Sequence, residues 1–174
     1  MVGVLHSLSA EGELAEIGVC EGGSAKIIRE TIPEKELHLF DTFTGIIGEQ
    51  ILDYEKENYK SGDYSASLEE TKNNLPYEKI IYHIGDVLKT REEVKDKKFC
   101  FIHIDLDIYT PLKGILDFFY ERLNKGGVML ISNYDIAHPG IKKAVDEFNK
   151  PFKQYSRFVN IKKGLNIIIK HKIK

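Results

Sequence analysis

Residues 13–26 read ELAEIGVCEGGSAK, an apolar run that breaks into glycines and resumes with helical character. Leu14, Ala15, Ile17 and Val19 suit a strand buried on both faces. Gly18, Gly22 and Gly23 allow a tight turn and a close approach of backbone to a ligand. Ser24 or Gly23 then caps a helix to about residue 30, whose free N–H groups and positive dipole end face the turn. This is the layout of a cofactor cradle, although an ordinary strand-to-helix turn has the same outline. The spacing departs from G-x-G-x-x-G, because Val19, Cys20 and Glu21 separate Gly18 from the next glycines. Glu16 stands two positions before the first glycine.

Working outward, strand and helix patterns alternate along the chain, which predicts an α/β sheet covered by helices on both faces. After Pro33, residues 36–41 (ELHLFD) form a second strand ending in Asp41, about twenty residues past the glycine turn, where Rossmann-like folds hold ribose hydroxyls. Periodicity then lapses over residues 42–65, where Gly45, Gly48, Gly62, Tyr54, Tyr59 and Tyr64 gather. A loop of that length is a candidate substrate lid or a disordered insertion. A helix over 65–75 stops before Pro76, and 79–84 (KIIYHI) is a third strand followed by Gly85 and Asp86. Thr90 caps a short acidic turn over 91–94. Residues 98–106 (KFCFIHIDL) make a fourth strand carrying Asp105, with Asp107 just beyond. Thr110 and Pro111 read as the N-cap and first turn of a helix to Leu123, terminated by Gly126 and Gly127. Residues 128–132 (VMLIS) form a fifth strand leading to Asn133, a helix follows over 141–149, and strands over 155–161 and 165–171 close a hairpin at 162–164.

The chain has 174 residues, room for one domain with a substantial core. Its 25 basic and 27 acidic residues nearly balance and are dispersed, which excludes a global field for nucleic acid or an anionic membrane. Cys20 and Cys100 lack metal-ligand spacing and read as small core residues in a reducing compartment. No export signal or membrane-spanning run is apparent, so a cytoplasmic location is expected.

In an open parallel sheet, ligands bind beyond the carboxyl ends of the strands. Those ends here carry Glu16 with Gly18, then Asp41, Asp86, Asp105 with Asp107, and Asn133. The stretches AEIGVCEGGSAKII, HLFDTFTGI, IHIDLDIYTPLKGILDFFYERLNKGGVMLISNY and HPGIKKAVDEF together resemble the macrocin O-methyltransferase (TylF/MycF-type) family, over nearly all of residues 12–148. The resemblance implies a Rossmann-like class I methyltransferase fold: a three-layer αβα sandwich, a single domain over 1–174, and a seven-stranded mixed sheet with its last strand antiparallel. It also implies methyl transfer from S-adenosyl-L-methionine to a hydroxyl, typically on a sugar of a natural product or glycan.

Carried onto this chain, the resemblance places Glu16, Gly18, Gly22, Gly23 and Ser24 around the methionine part of the cofactor. Asp41 falls at the ribose with Thr42 and Phe43 beside it, and Asp86 near the adenine. Asp105 matches an acid that contacts the cofactor region and binds a divalent metal such as Mg²⁺. The family's two further metal-binding aspartates correspond to Ser132 and Asn133, leaving Asp105 and Asn133 as the ligand set, with Asp107 either assisting or capping its loop. Without a metal, Asp105 is the expected base and His138 a second candidate. His103 reads as a core or supporting residue and His83 as packing. Family members carry an N-terminal helical extension, whereas about a dozen residues precede the first strand here. Cover for the cofactor would then come from residues 42–65 or from a partner in a homo-oligomer. A cofactor-binding protein with a decayed metal site is the competing reading, and a nicotinamide oxidoreductase a distant third.

Overall fold

The computed structural model describes residues 1–152, 156–161 and 164–170. Its strands are β1 (Glu13–Ile17), β2 (Leu37–Asp41), β3 (Ile80–Ile84), β4 (Phe99–Ile104), β5 (Leu123–Ile131), β6 (Ser156–Ile161) and β7 (Leu165–Lys170), and they pair in the order β3-β2-β1-β4-β5-β7-β6. Pairing is parallel from β3 through β5, while β7 runs antiparallel to both β5 and β6. The helices are α1 (Val2–His6), α2 (Gly23–Thr31), α3 (Leu68–Asn74), α4 (Val87–Thr90), α5 (Tyr109–Arg122) and α6 (Pro139–Phe152).

Alternation along the central strands creates two cores. Ala15 and Ile17 of β1, with Ile102 and Ile104 of β4, face Leu112, Ile115 and Phe119 of α5 and Ile141 and Val145 of α6. Their neighbours Leu14, Phe101 and Leu130 face the opposite way, against Ala25 and Ile28 of α2 and Leu5 of α1. Both faces of the sheet are therefore covered, which is why these strands read as continuous apolar runs. The chain lays down β1, β2 and β3 in one direction and then returns to place β4 and β5 on the other side of β1. That reversal lies between β1 and β4, where an open α/β sheet leaves a crevice for a ligand.

Several element boundaries differ from the sequence reading. β1 ends at Ile17, and Val19 already belongs to the turn. Gly22, at φ +87°, is the N-cap of α2, so neither Gly23 nor Ser24 caps it. Helix α5 begins at Tyr109 without a side-chain cap of its own, and Thr110 and Pro111 fall inside its first turn. Gly126 and Gly127 do not end that helix: β5 starts at Leu123, and the glycines are absorbed where its register with β4 shifts between Phe99 and Phe101. The short helices α1 and α4 had no periodicity long enough to announce them. Tyr155, the turn residues 162–163 and His171, all assigned to the terminal hairpin, lie outside the described residues.

A polar chain crosses β1–β3, from Glu13 at the start of β1 through His38 near the start of β2 to His83 near the end of β3. Glu13 pairs with His38 at 2.7 Å, His38 with His83 at 2.9 Å, and His83 with Glu93 at 2.6 Å. Both rings are buried, and His83, expected merely to pack, is a link in this chain as well as a stacking partner of Phe40.

Candidate active site

The glycine turn is built by backbone constraint. Gly18 has φ +84°, and a Cβ there would stand 2.1 Å from the carbonyl oxygen of Asp105, so a side chain is excluded on both counts. The Gly18 N–H donates to the carbonyl of Phe40 at 2.9 Å, and the Asp105 N–H donates to the carbonyl of Ile17 at 2.8 Å. These bonds draw the ends of β1, β2 and β4 together. From behind, Thr71 donates its hydroxyl to the Cys20 carbonyl at 2.8 Å and Asn74 its amide to the Glu21 carbonyl at 3.2 Å.

Asp41 closes the turn from the side. One carboxylate oxygen accepts the N–H groups of Val19 and Cys20 at 2.7 and 2.9 Å, and the other accepts that of Phe43 at 2.7 Å. Cys20 is exposed rather than in the core, because the chain leaves the sheet at Gly18 and takes φ +48° at Cys20. Burial around the sulfur, joined by the neighbouring Asp41, Glu21 and Asp105 charges, pushes its thiol up, which keeps it protonated.

A cavity of about 430 Å³ opens over these strand ends. Of the residues singled out from sequence, Gly18, Gly23, Ser24, Asp41 and Thr42 line it at one end, with Asp86 and Asp105 further round. Asp86 also accepts the Leu88 N–H at 3.0 Å and so starts α4. Three expected cofactor contacts lie off this wall. Gly22 borders a separate shallow depression with Lys26 and Asn74. Phe43 turns into the structure and packs on Tyr82. Glu16 is fully buried behind the turn.

Glu16 heads a second polar chain. Its Oε1 pairs with His103 Nδ1 at 2.7 Å, and His103 Nε2 pairs with the Ser132 hydroxyl at 3.0 Å. The three residues come from β1, β4 and the end of β5, and Glu16 Oε2 is left buried with no partner. Ser132 therefore faces His103.

Asn133 sits beyond it at φ +62°, a conformation asparagine tolerates better than most residues. Its Nδ2 donates to Asp105 Oδ1 at 3.2 Å and to Asp107 Oδ1 at 3.1 Å, so one amide bridges the two carboxylates. Burial and the adjacent Asp105 charge push the Asp107 carboxyl up to about 6, against the opposing pull of His138. His138 itself is held by Asp135 at 2.8 Å in the loop after β5 and does not line the cavity.

The 42–65 segment is ordered over the site. It folds through short 3₁₀ turns at Gly48–Gln50 and Asp53–Glu55. Ile51 and Tyr59 pack on Ile108, and burial, followed by the Asp107 charge, pushes the Tyr59 phenol up to about 12. Buried Glu55 pins this segment: its Oε2 accepts the Leu52 N–H at 3.1 Å and its Oε1 accepts the Tyr109 N–H at 2.8 Å. Glu55 thus supplies the N-terminal cap that α5 lacks locally. Ile46, Ile47, Gln50, Asp63 and Tyr64 from this segment line the cavity. The Asp107 charge, with burial, holds the Tyr64 phenol above its ordinary value. Glu55 carried no sequence signal, since its partner Tyr109 is 54 residues away; Tyr64 was visible only as one of several loop tyrosines.

A switch-point cavity edged by a glycine turn, with acids at successive strand ends, defines a Rossmann-like α/β protein that binds a nucleoside-type cofactor. The model of the macrocin-O-methyltransferase (TylF) family matches residues 4–163, and the chain belongs to that family. It is an S-adenosylmethionine-dependent O-methyltransferase. Solved structures with the same fold include the O-methyltransferase NovP, at TM-score 0.82 and 20% identity over 98% of this chain and 76% of that one. The calicheamicin methyltransferase CalS11 is similar at TM-score 0.77 and 20% identity, over 97% and 76% of the two chains. A putative caffeoyl-CoA O-methyltransferase from Staphylococcus aureus follows at TM-score 0.60 and 20% identity, over 91% and 76%. Among curated proteins nothing matches. Among the described residues no helix is long and apolar enough to cross a membrane.

Proposed function

We propose that the chain methylates a hydroxyl on a sugar of a natural product or glycan, with Asp105 as the residue on which transfer depends. The observation that carries this reading is the convergence of Asp105 and Asp107 on the cavity wall, bridged by the Asn133 amide, with residues of the 42–65 segment lining the same cavity. When bound, S-adenosylmethionine supplies a methyl group on a positively charged sulfur. The chain's own contribution is to hold the cofactor and place the acceptor. Gly18, Gly23 and Ser24 leave room for the methionine part, Asp41 presents its carboxylate beside the ribose, and Asp86 borders the adenine. In-line placement of an acceptor hydroxyl against the methyl group accounts for much of such a reaction's acceleration, in favourable cases about 7–11 kcal/mol. The remaining demand is a proton acceptor, for which the Asp105 carboxylate at the cavity wall is placed, with its Oδ1 oriented by Asn133.

Two carboxylates meeting at one amide also form a hard oxygen donor set suited to Mg²⁺. Asp105 and Asp107 would hold such an ion, with Asn133 turning its amide to offer Oδ1, and the ion would polarise the acceptor hydroxyl. Glu16, fully buried behind the turn, supports the methionine end of the loop from beneath through its pair with His103. The test is methylation of a glycoside panel with and without EDTA, by the parent protein and by Asp105→Ala. Product that disappears in Asp105→Ala is expected; undiminished product in that variant overturns the assignment.

A further inference from the structure

Tyr64 is held in an arrangement that folding alone does not reward. Its backbone takes φ +60°, the left-handed region that a bulky side chain enters only at a cost. Phe43, the other aromatic residue at positive φ among the described residues, is buried and packs on Tyr82, so packing offsets its strain. Tyr64 is 59% exposed. It also lines the cavity, whereas the other large exposed apolar side chains among the described residues, Val2, Ile27, Tyr54, Ile84 and Ile136, lie off its wall. Strain and exposure at one aromatic residue in the site point to a task that the ring performs there.

The backbone on either side of Tyr64 is clamped. The Gly62 N–H donates to the Ile46 carbonyl at 2.9 Å, the Ile46 N–H to the Asp63 carbonyl at 2.9 Å, and the Ala66 N–H to the Phe43 carbonyl at 3.3 Å. The Asp63 carboxylate accepts the Lys60 N–H at 2.7 Å. These bonds fix residues 62–66 against residues 43–46, so the backbone that carries the ring is set before an acceptor arrives and little ordering remains to be done on binding. Within the cavity the phenol lies toward the acid end: Asp107 is foremost among the charges acting on it, and Asp107 shares the Asn133 amide with Asp105. An exposed aromatic face in that place suits the C–H face of a sugar ring. Stacking removes the C–H bonds from water and leaves the hydroxyls at the sugar's edge free to reach a base.

From this strained, cavity-lining tyrosine we infer that Tyr64 is the platform on which the acceptor's sugar ring stacks, setting its hydroxyl toward Asp105. The inference rests on the sugar-methylating reading above and assigns the residue that positions its substrate.

The test compares Tyr64→Gly, Tyr64→Ala and Tyr64→Phe with the parent protein on a panel of neutral alkyl glycosides. Turnover is followed by S-adenosylhomocysteine release, glycoside binding to the S-adenosylhomocysteine-loaded protein by calorimetry, and stability by thermal melts. Tyr64→Gly should raise glycoside KM and Kd about five- to twentyfold, with kcat within about threefold and the S-adenosylhomocysteine Kd within about twofold. Because glycine takes φ +60° freely, that variant should melt no lower than the parent, while Tyr64→Ala should share the KM loss and melt about 2–4 °C below the glycine variant. Tyr64→Phe, which keeps the ring, should hold KM within about threefold. Parental glycoside KM and Kd in Tyr64→Gly overturn the platform and leave methyl transfer intact. A Tyr64→Phe loss equal to that of glycine, an S-adenosylhomocysteine Kd that rises as much as the glycoside Kd, or a glycine variant that melts below the alanine one also overturns it. If glycosides bind through Tyr64 and none is methylated, the platform stands and the methyl-transfer reading fails; binding of no glycoside overturns both.

Discussion

Replacing Glu55 by alanine removes a buried carboxylate that ties the 42–65 segment to the start of α5. The carboxylate is 2% exposed and accepts two backbone N–H groups, at 2.8 Å from Tyr109 and 3.1 Å from Leu52. Hydrogen bonds to a charged group contribute about 1.5–3 kcal/mol each, and water reaching the freed N–H groups returns part of that, so the loss should be about 3–4 kcal/mol. Glu55→Gln retains one carbonyl acceptor but removes the negative charge at the start of α5, and should cost about 1–2 kcal/mol. At about 2–4 °C per kcal/mol for a chain of this size, alanine should lower the melting temperature by roughly 6–15 °C if the segment unfolds with the rest. If the segment instead opens locally, amide hydrogen exchange should rise over residues 46–64 and at the start of α5, and acceptor KM should rise more than cofactor Kd. Thermal melts and exchange mass spectrometry read both cases. A Glu55→Ala protein with parental melting, exchange and acceptor KM would refute the proposed tie.

Asp41→Asn should weaken S-adenosylhomocysteine binding roughly ten- to hundredfold by calorimetry, because the carboxylate that orders the Val19, Cys20 and Phe43 amides loses its charge. Gly18→Ala should be worse, removing detectable cofactor binding and costing about 3 kcal/mol or more, since a strained φ is compounded by overlap with the Asp105 carbonyl; a soluble, parental-affinity Gly18→Ala would contradict the turn geometry. In an Asp107→Asn background, which removes the opposite contribution of that raised carboxyl, stability should fall as pH is lowered from 7 toward 4. Burial holds the His38 ring below its ordinary 6.5, so the unfolded chain takes up that proton first and stability is lost as pH falls through about 6.5. For Glu13, burial acts upward but the Lys97 and His38 hydrogen bonds outweigh it, leaving the carboxyl below its ordinary 4.5, so its contribution is present above 4.5 and lost as pH falls further. Melting temperatures that stay flat or rise over that range in this background would contradict the pairing of Glu13 with buried His38.

How much of this was readable from sequence depends on how local the cause is. The glycine turn, Asp41, Asp86 and Asp105 were legible because each sits at the end of an apolar run, and the chain order of those runs carries the topology. The α5 boundary was misjudged because Thr110-Pro111 is a local helix-start signal overridden by a cap from Glu55, far away in sequence. Gly126 and Gly127 misled in the same manner, since their role is set by pairing with β4 and not by the helix before them. Glu16 is placed at the methionine end of the cofactor by the family resemblance; its pairing with His103 in β4 has no local signal, because the two residues lie 87 positions apart. His83 could not be distinguished from packing, because its partners His38 and Glu93 lie in separate elements.

Transfer of labelled methyl from S-adenosylmethionine to glycoside acceptors, followed together with release of S-adenosylhomocysteine, tests the activity most directly. The expected result is label on an acceptor oxygen in step with S-adenosylhomocysteine, lost in Asp105→Ala while that variant keeps its fold by circular dichroism. Tight cofactor binding with no labelled product from any acceptor, or product that persists in Asp105→Ala, would contradict it.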